Sequence, residues 1–266
     1  MKAMALKYLK LWLSFYSNSL TRDMEFKANL LGGIFIDCIY YGINFFFFTI
    51  IYSYVDALGV FSKEDVIIFL IITFLTDTVY MFLFSGNLFN LNRLMVKGDL
   101  DYFLLKPINS QFMISFRYTK SYALINILVL IILLIQVSMG YSGTIRLENW
   151  LVFFLSFLFG ISIWYSVDFI ISCSCFWFKN FSVSGWLSHE VLKFAMRPDS
   201  IYTGFLRKTL FTILPMALIA SVPARTLLYG PSFQFILLQF IIALLFLILS
   251  RFMWKNGLKR YESASS

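Results

Sequence analysis

FQFILLQFIIALLFLILSRFMW, residues 233–254, is almost unbroken apolar sequence. Its polar residues are two glutamines, one serine and a single charge, Arg251, near its end. About 20 such residues in a helix rise about 30 Å, the depth of a bilayer's hydrocarbon core. The rest of the chain agrees with it. Of 266 residues, 60% are hydrophobic, 20% aromatic and only 14% charged. A soluble domain is about 45–50% apolar and about 25% charged. A water-soluble fold leaves roughly a quarter of its unfolded surface exposed, so it cannot hide this much apolar area. Disorder, collagen, coiled coil and disulfide scaffold are excluded by the same figures. An all-α polytopic membrane protein remains, with room for roughly five to seven spans.

The tail that follows, 255–266, is basic and polar. At the other extreme, residues 1–27 are too polar to span. Leu6, Leu9, Leu13, Tyr16 and Leu20 recur at helical spacing, with Lys7, Lys10, Ser14, Ser17 and Thr21 on the other face. That pattern predicts an amphipathic helix in the membrane interface, with Trp12 at headgroup level. No uninterrupted apolar core and cleavage site follow the lysines, so a signal peptide is rejected. Between these ends, apolar stretches predict spans at 29–54, 66–91, 121–139 and 150–178. Residues 179–230 admit two readings. Either 211–230 is the fifth span, or a polar fifth span covers 181–196 and 205–229 forms a re-entrant hairpin. Pro215 and Pro223 suit short, broken helices. Both readings give six spans and place the termini on one side.

The net charge of +8 would suggest nucleic acid in a soluble protein. Here its distribution is the informative part. On the first topology, all but Lys63, Arg146 and Arg225 of the 22 Lys and Arg fall on one side. On the second, Arg197, Arg207 and Lys208 also change sides. Either way the excess puts both termini in the cytoplasm, and no nucleic-acid partner is expected. Cys38, Cys173 and Cys175 lie in apolar stretches and are expected to be small, buried core residues. The last two point about 200° apart on a helix, a poor metal pair, so no metal site is expected.

Catalytic motifs are absent. There is no G-x-x-x-x-G-K-[ST], no H-E-x-x-H and no G-x-S-x-G, and His189 is the single histidine. If ATP drives this protein, it is hydrolysed on another chain. Asp37, Asp77 and Asp168 fall inside spans without a basic neighbour in sequence. A carboxylate there must face protein or water. It serves either a proton relay or polar pathway, or an inter-helix hydrogen bond with residues such as Asn44, Thr73, Asn126 or Gln136. Glu190 and Lys193, three apart, share a helical face and can pair.

The loop 92–110 has readable local structure. Gly98 can end a helix in the left-handed conformation. Asp99 or Asp101 can cap a short helix over LDYFLL, which Pro107 stops. Tyr102, Phe103 and Leu104 make this helix more apolar than a turn needs. It either docks on lipid or a partner, or tucks under the bundle.

Four segments, in this order and spacing, carry a resemblance: GDLDYFLLKPIN (98–109), RPDSIYTGFLR (197–207), LPMALIASVPARTLLYG (214–230) and WKNGLKRY (254–261). The chain resembles, over essentially its whole length, the permease subunit of ABC-2-type exporters. The resemblance implies an interface helix (1–27), a six-helix transmembrane domain (28–254) and a cytoplasmic tail (255–266). It implies contact with ABC ATPase subunits through Gly98, Asp99, Asp101, Tyr102, Phe103, Lys106 and Pro107. A second such contact falls near Lys179 and Asn180. It favours the re-entrant topology, with Arg197, Pro198, Tyr202, Pro215, Pro223 and Arg225 at an outer gate. ATP and Mg would sit on the partner subunits, with no cofactor in this chain. A second permease copy or a paralogue, and membrane lipid, complete the expected partners, in a bacterial-type inner membrane. A proton-coupled secondary carrier using the intramembrane carboxylates is the alternative, and a channel-like structural protein a third reading.

Overall fold

A computed structural model describes residues 2–178 and 183–261. The described chain is an all-α polytopic membrane fold whose one sheet is a two-stranded hairpin. Helix α1 (Lys2–Glu25) leads into α2 (Lys27–Ile51). Strands β1 (Ala57–Leu58) and β2 (Phe61–Ser62) then form the hairpin before α3 (Lys63–Tyr80). Ser62 and Asp65 start α3 by a reciprocal capping box, each side chain accepting the other's backbone N–H. After α3 come a π-helical turn (Met81–Ser85) and the short helices α4 (Gly86–Leu88), α5 (Leu91–Val96), α6 (Leu100–Leu104) and α7 (Ser110–Phe116). Next are α8 (Ala123–Met139), α9 (Leu147–Cys173) and α10 (Ser184–Leu192). The chain closes with α11 (Gly204–Thr212), α12 (Ala217–Tyr229) and α13 (Phe233–Leu258).

Four helical stretches are long and apolar enough to cross a membrane: Lys27–Ile51, Lys63–Phe84, Leu147–Phe176 and Phe233–Leu258. The pair α11 and α12, bent by 91° around the break that holds Pro215, is either a fifth, broken span or a re-entrant loop. Helix α8 is apolar but has 17 residues, at the lower limit for a span. The polar span expected over 181–196 is not one continuous helix among the described residues. Its described part is α10, nine residues long, followed by turns. At 1.5 Å per residue it reaches about 14 Å, less than half the hydrocarbon depth.

Helix α12 lies at the heart of the bundle, packed against α3, α9 and α13. All of its 13 residues except Arg225 and Tyr229 are buried. Pro223 has no N–H, so the carbonyl of Ile219, four residues earlier, lacks its helical partner. Helix α9 comes closest at that point: a Cβ on Gly160 would lie 2.4 Å from the Ile219 oxygen. Only glycine fits there, and its Cα–H faces the free carbonyl. One turn away, the buried Gln239 of α13 donates to the carbonyls of Leu218 and Ser156 and accepts from the Ser156 hydroxyl. Such side-chain bonds hold helices together where water is absent.

Helix α1 has three faces rather than two. Phe15 and Ser19 are buried against the bundle, Tyr8 packs on Phe112, and Trp12 packs edge-on to Phe82. Leu6, Leu9 and Leu13, of the apolar face expected in the membrane interface, are exposed beside the lysines. Cys173 and Cys175 are buried and free, whereas Cys38, expected in the core, is exposed.

Candidate functional site

Three polar regions interrupt the apolar bundle: the end that gathers the termini, a central cavity, and the opposite end.

At the termini end, Gly98 takes a φ of +76°, the left-handed conformation expected of it. Its N–H donates to the Met95 carbonyl, closing α5, and α6 begins at once. Asp99 occupies the N-cap position but makes no capping hydrogen bond, contrary to expectation. Its own φ and ψ are already helical, which aims the side chain away from the free N–H groups. Helix α6 is split between the two expected roles. Leu100 and Phe103 are buried under the bundle, with the Arg117 guanidinium 5.4 Å from the Phe103 ring centre. Tyr102 (70%) and Leu105 (82%) are exposed, as are Lys106 and Pro107. Phe103 is therefore an anchor and not part of the outward surface. Leu105, not singled out from sequence, is part of it. Asn109 caps α7, and Arg251 of α13 reaches Gln111 at 3.1 Å and Asn109 at 3.3 Å. Trp254 donates to Ser110. Tyr261 lies beside Asp101, and burial first, then the Asp101 and Asp99 carboxylates, push its phenol up to about 12. The segment is thus gripped by the end of α13. Lys179 and Asn180 lie outside the described residues.

The central cavity, about 590 Å³, joins residues far apart in sequence. Asp37 and Tyr40 come from α2, Asp77 and Tyr80 from α3, Trp164 and Asp168 from α9, Ser188 and His189 from α10. Lys120 enters from the turn before α8. The carboxylates have protein donors. Asn126 donates to Asp37 at 2.8 Å, while Tyr80 and Ser188 both donate to Asp168. Tyr41 reaches Asp77 only at 3.4 Å and makes its closer bond, 2.7 Å, with Thr78. Tyr80 stacks on Trp164 at 4.6 Å. Burial holds the Lys120 ammonium below the ordinary lysine value, and the charges of Asp37 and Asp77 offset part of that shift. The π turn at 81–85 directly follows Tyr80, breaking the single helix expected over 66–91 where the cavity wall passes. Glu190 and Lys193 do pair, at 2.5 Å, on the outside of α10.

The opposite end is closed by a residue that sequence reasoning passed over. Asp199 is fully buried. Arg225 donates to both of its oxygens, at 2.8 and 2.9 Å, and Arg207 to one at 3.0 Å. Its backbone N–H donates to the Ser221 hydroxyl. The Arg225 guanidinium also stacks over Phe61 of the hairpin, and Ser200 donates to the Leu58 carbonyl. Tyr229 and Tyr141 both donate to Asp65. Of the expected gate residues, Arg225 binds Asp199, and Pro198, Tyr202 and Pro223 lie buried within three residues of Asp199 or Arg225, whereas Pro215 is buried at the break between α11 and α12 and Arg197 is exposed. The only advance signal for Asp199 was an acid among three arginines, and their pairing needed the fold.

The chain was compared with known families, curated proteins and solved structures. The family described as ABC-2 family transporter protein matches residues 38–265. No curated protein and no solved structure matches.

Proposed function

The chain belongs to the ABC-2 family of transporter proteins and is a membrane permease of an ABC transporter, and on that footing we propose that it forms the pathway of an ATP-driven exporter. Two permeases, identical or paired with a paralogue, enclose the pathway and sit on two separate ATPase subunits, which bind ATP and Mg. The membrane is a bacterial cytoplasmic membrane with both termini inside, as the distribution of Lys and Arg supports. The chain crosses it six times if α8 and the region around α10 each count as a crossing, with α11 and α12 as a re-entrant hairpin at the outer face.

The observation that carries the coupling role is the division of α6. Its exposed Tyr102 and Leu105 form an apolar step beside Lys106, while Leu100 and Phe103 lock the same helix to the core. A push on Tyr102 and Leu105 is therefore delivered to the bundle and, through Asn109, Ser110 and Gln111, to α13. Gly98 and Pro107 set the ends of this lever, Asp99 and Asp101 add charge beside it, and Lys179 and Asn180 belong to the second contact. Nucleotide closure of the ATPases shifts the bundle between inward- and outward-facing states. The cavity lined by Asp37, Asp77 and Asp168 is the polar part of the inward-facing path. The Asp199 cap, with Arg207 and Arg225, is the outer gate in its closed state.

Affinity purification of the full chain from its native membrane in mild detergent tests this reading. A P-loop ATPase copurifies if the reading holds. Recovery of the permease without one contradicts it.

A further inference from the structure

We propose that a basic pocket at the termini end binds the phosphate headgroup of an anionic phospholipid. The pocket, about 330 Å³, lies between α1, residues 86–93 and the turn 118–120, and adjoins the central cavity at Lys120. Arg22, Arg93 and Lys120 bring three cations to its wall, and no carboxylate lines it. The turn is rigidly built. Asn87 donates to the Tyr118 carbonyl at 2.7 Å and accepts its N–H at 2.8 Å. Ser19 and Asp23 of α1 accept the N–H groups of Thr119 and Ser121.

Two observations point to a ligand. Thr119 is 1% exposed and lines the pocket, yet its hydroxyl has no hydrogen-bond partner. Leaving a buried hydroxyl without a partner is destabilising, and a phosphate oxygen would satisfy it. Arg93 has no ion pair among the described residues. Arg22 pairs with Asp23 at 3.0 Å, and Lys120 faces the cavity that Asp37 and Asp77 also line, so Arg93 supplies the uncompensated charge.

The surroundings select a lipid over a free phosphate. Phe26, which lines a neighbouring pocket with Arg22 and Lys120, and Phe89, which lines the central cavity with Lys120, are 56% and 69% exposed, and the leucine face of α1 is exposed as well. An acyl chain would cover these surfaces while its headgroup enters between the arginines. The site is independent of any ATPase and depends only on where α1 rests against the turn.

The test uses the full chain in detergent, following its thermal unfolding against added phosphatidylglycerol, phosphatidylcholine or inorganic phosphate. Phosphatidylglycerol is expected to raise the melting temperature saturably and phosphatidylcholine to leave it unchanged. Arg93→Gln should weaken the apparent affinity about fivefold, and Arg22→Gln with Arg93→Gln about twentyfold. Arg146→Gln, an exposed change at the opposite end, should leave it as in wild type. Equal stabilisation by both lipids, or full phosphatidylglycerol affinity in the double variant, overturns the proposal. Inorganic phosphate giving the whole effect overturns the lipid as occupant. If the double variant does not fold, lipid retained by the wild-type chain in native mass spectrometry decides. Retention of phosphatidylglycerol over phosphatidylcholine supports the site, and equal retention overturns it.

Discussion

Among the described residues, Asp199 is the one carboxylate held in two ion pairs. Two arginines, 8 and 26 residues further along, converge on a carboxylate with no access to water. Removing one member of a buried pair leaves the others charged and unpaired, at a cost of about 3–5 kcal/mol. Asp199→Asn is therefore expected to lower unfolding stability in detergent by about 3 kcal/mol. Lys193→Ala, which breaks the exposed pair with Glu190, should stay within about 0.5 kcal/mol. If the two variants melt alike, the cap is not a structural lock. This scale was only partly legible in sequence. Asn126 stood among the partners considered for the buried carboxylates, because an apolar span offers few other donors. Lys120 beside Asp37 and Asp77, and Tyr80 with Ser188 on Asp168, depend on which helices meet, and no local spacing encodes that.

At the scale of elements, proline placement was informative. Pro215 and Pro223 pointed to short, broken helices, and the chain bends by 91° where Pro215 falls. Which helix would cover the Ile219 carbonyl freed by Pro223 was not legible, since Gly160 is just one of several glycines in apolar sequence. Gly160→Ala drives a Cβ to 2.4 Å from a backbone oxygen and should destabilise the bundle by about 2 kcal/mol. Gly32→Ala meets nothing within 4 Å and should stabilise α2 by up to about 1 kcal/mol. Thermal unfolding of both variants reads the opposite signs. Helix α6 offers a second contrast. Phe103→Ala empties a buried position and should cost about 3 kcal/mol, whereas Tyr102→Ala should change stability by less than about 0.5 kcal/mol. The apolar character of LDYFLL was visible beforehand. The division of its residues between core and surface was not, because a five-residue helix is too short for its periodicity to show which face turns inward. For the same reason α10 escaped: a short polar segment has no pattern that fixes its length.

For the molecule as a whole, composition and charge were the most legible features, since a membrane leaves few ways to arrange apolar segments. They gave the polytopic fold. The structure adds the route between the ends. The exposed step of α6 leads through the α7 cap to α13, the cavity lies between α2, α3, α9 and α10, and the Asp199 cap closes the far side. The most direct test of this route is ATP hydrolysis by the purified permease–ATPase complex in lipid nanodiscs, wild type against Tyr102→Ala with Leu105→Ala. The account predicts an unchanged melting temperature for the variant permease, together with loss of the bound ATPase or of its permease-dependent hydrolysis. A variant complex that assembles and hydrolyses ATP like the wild type would contradict it.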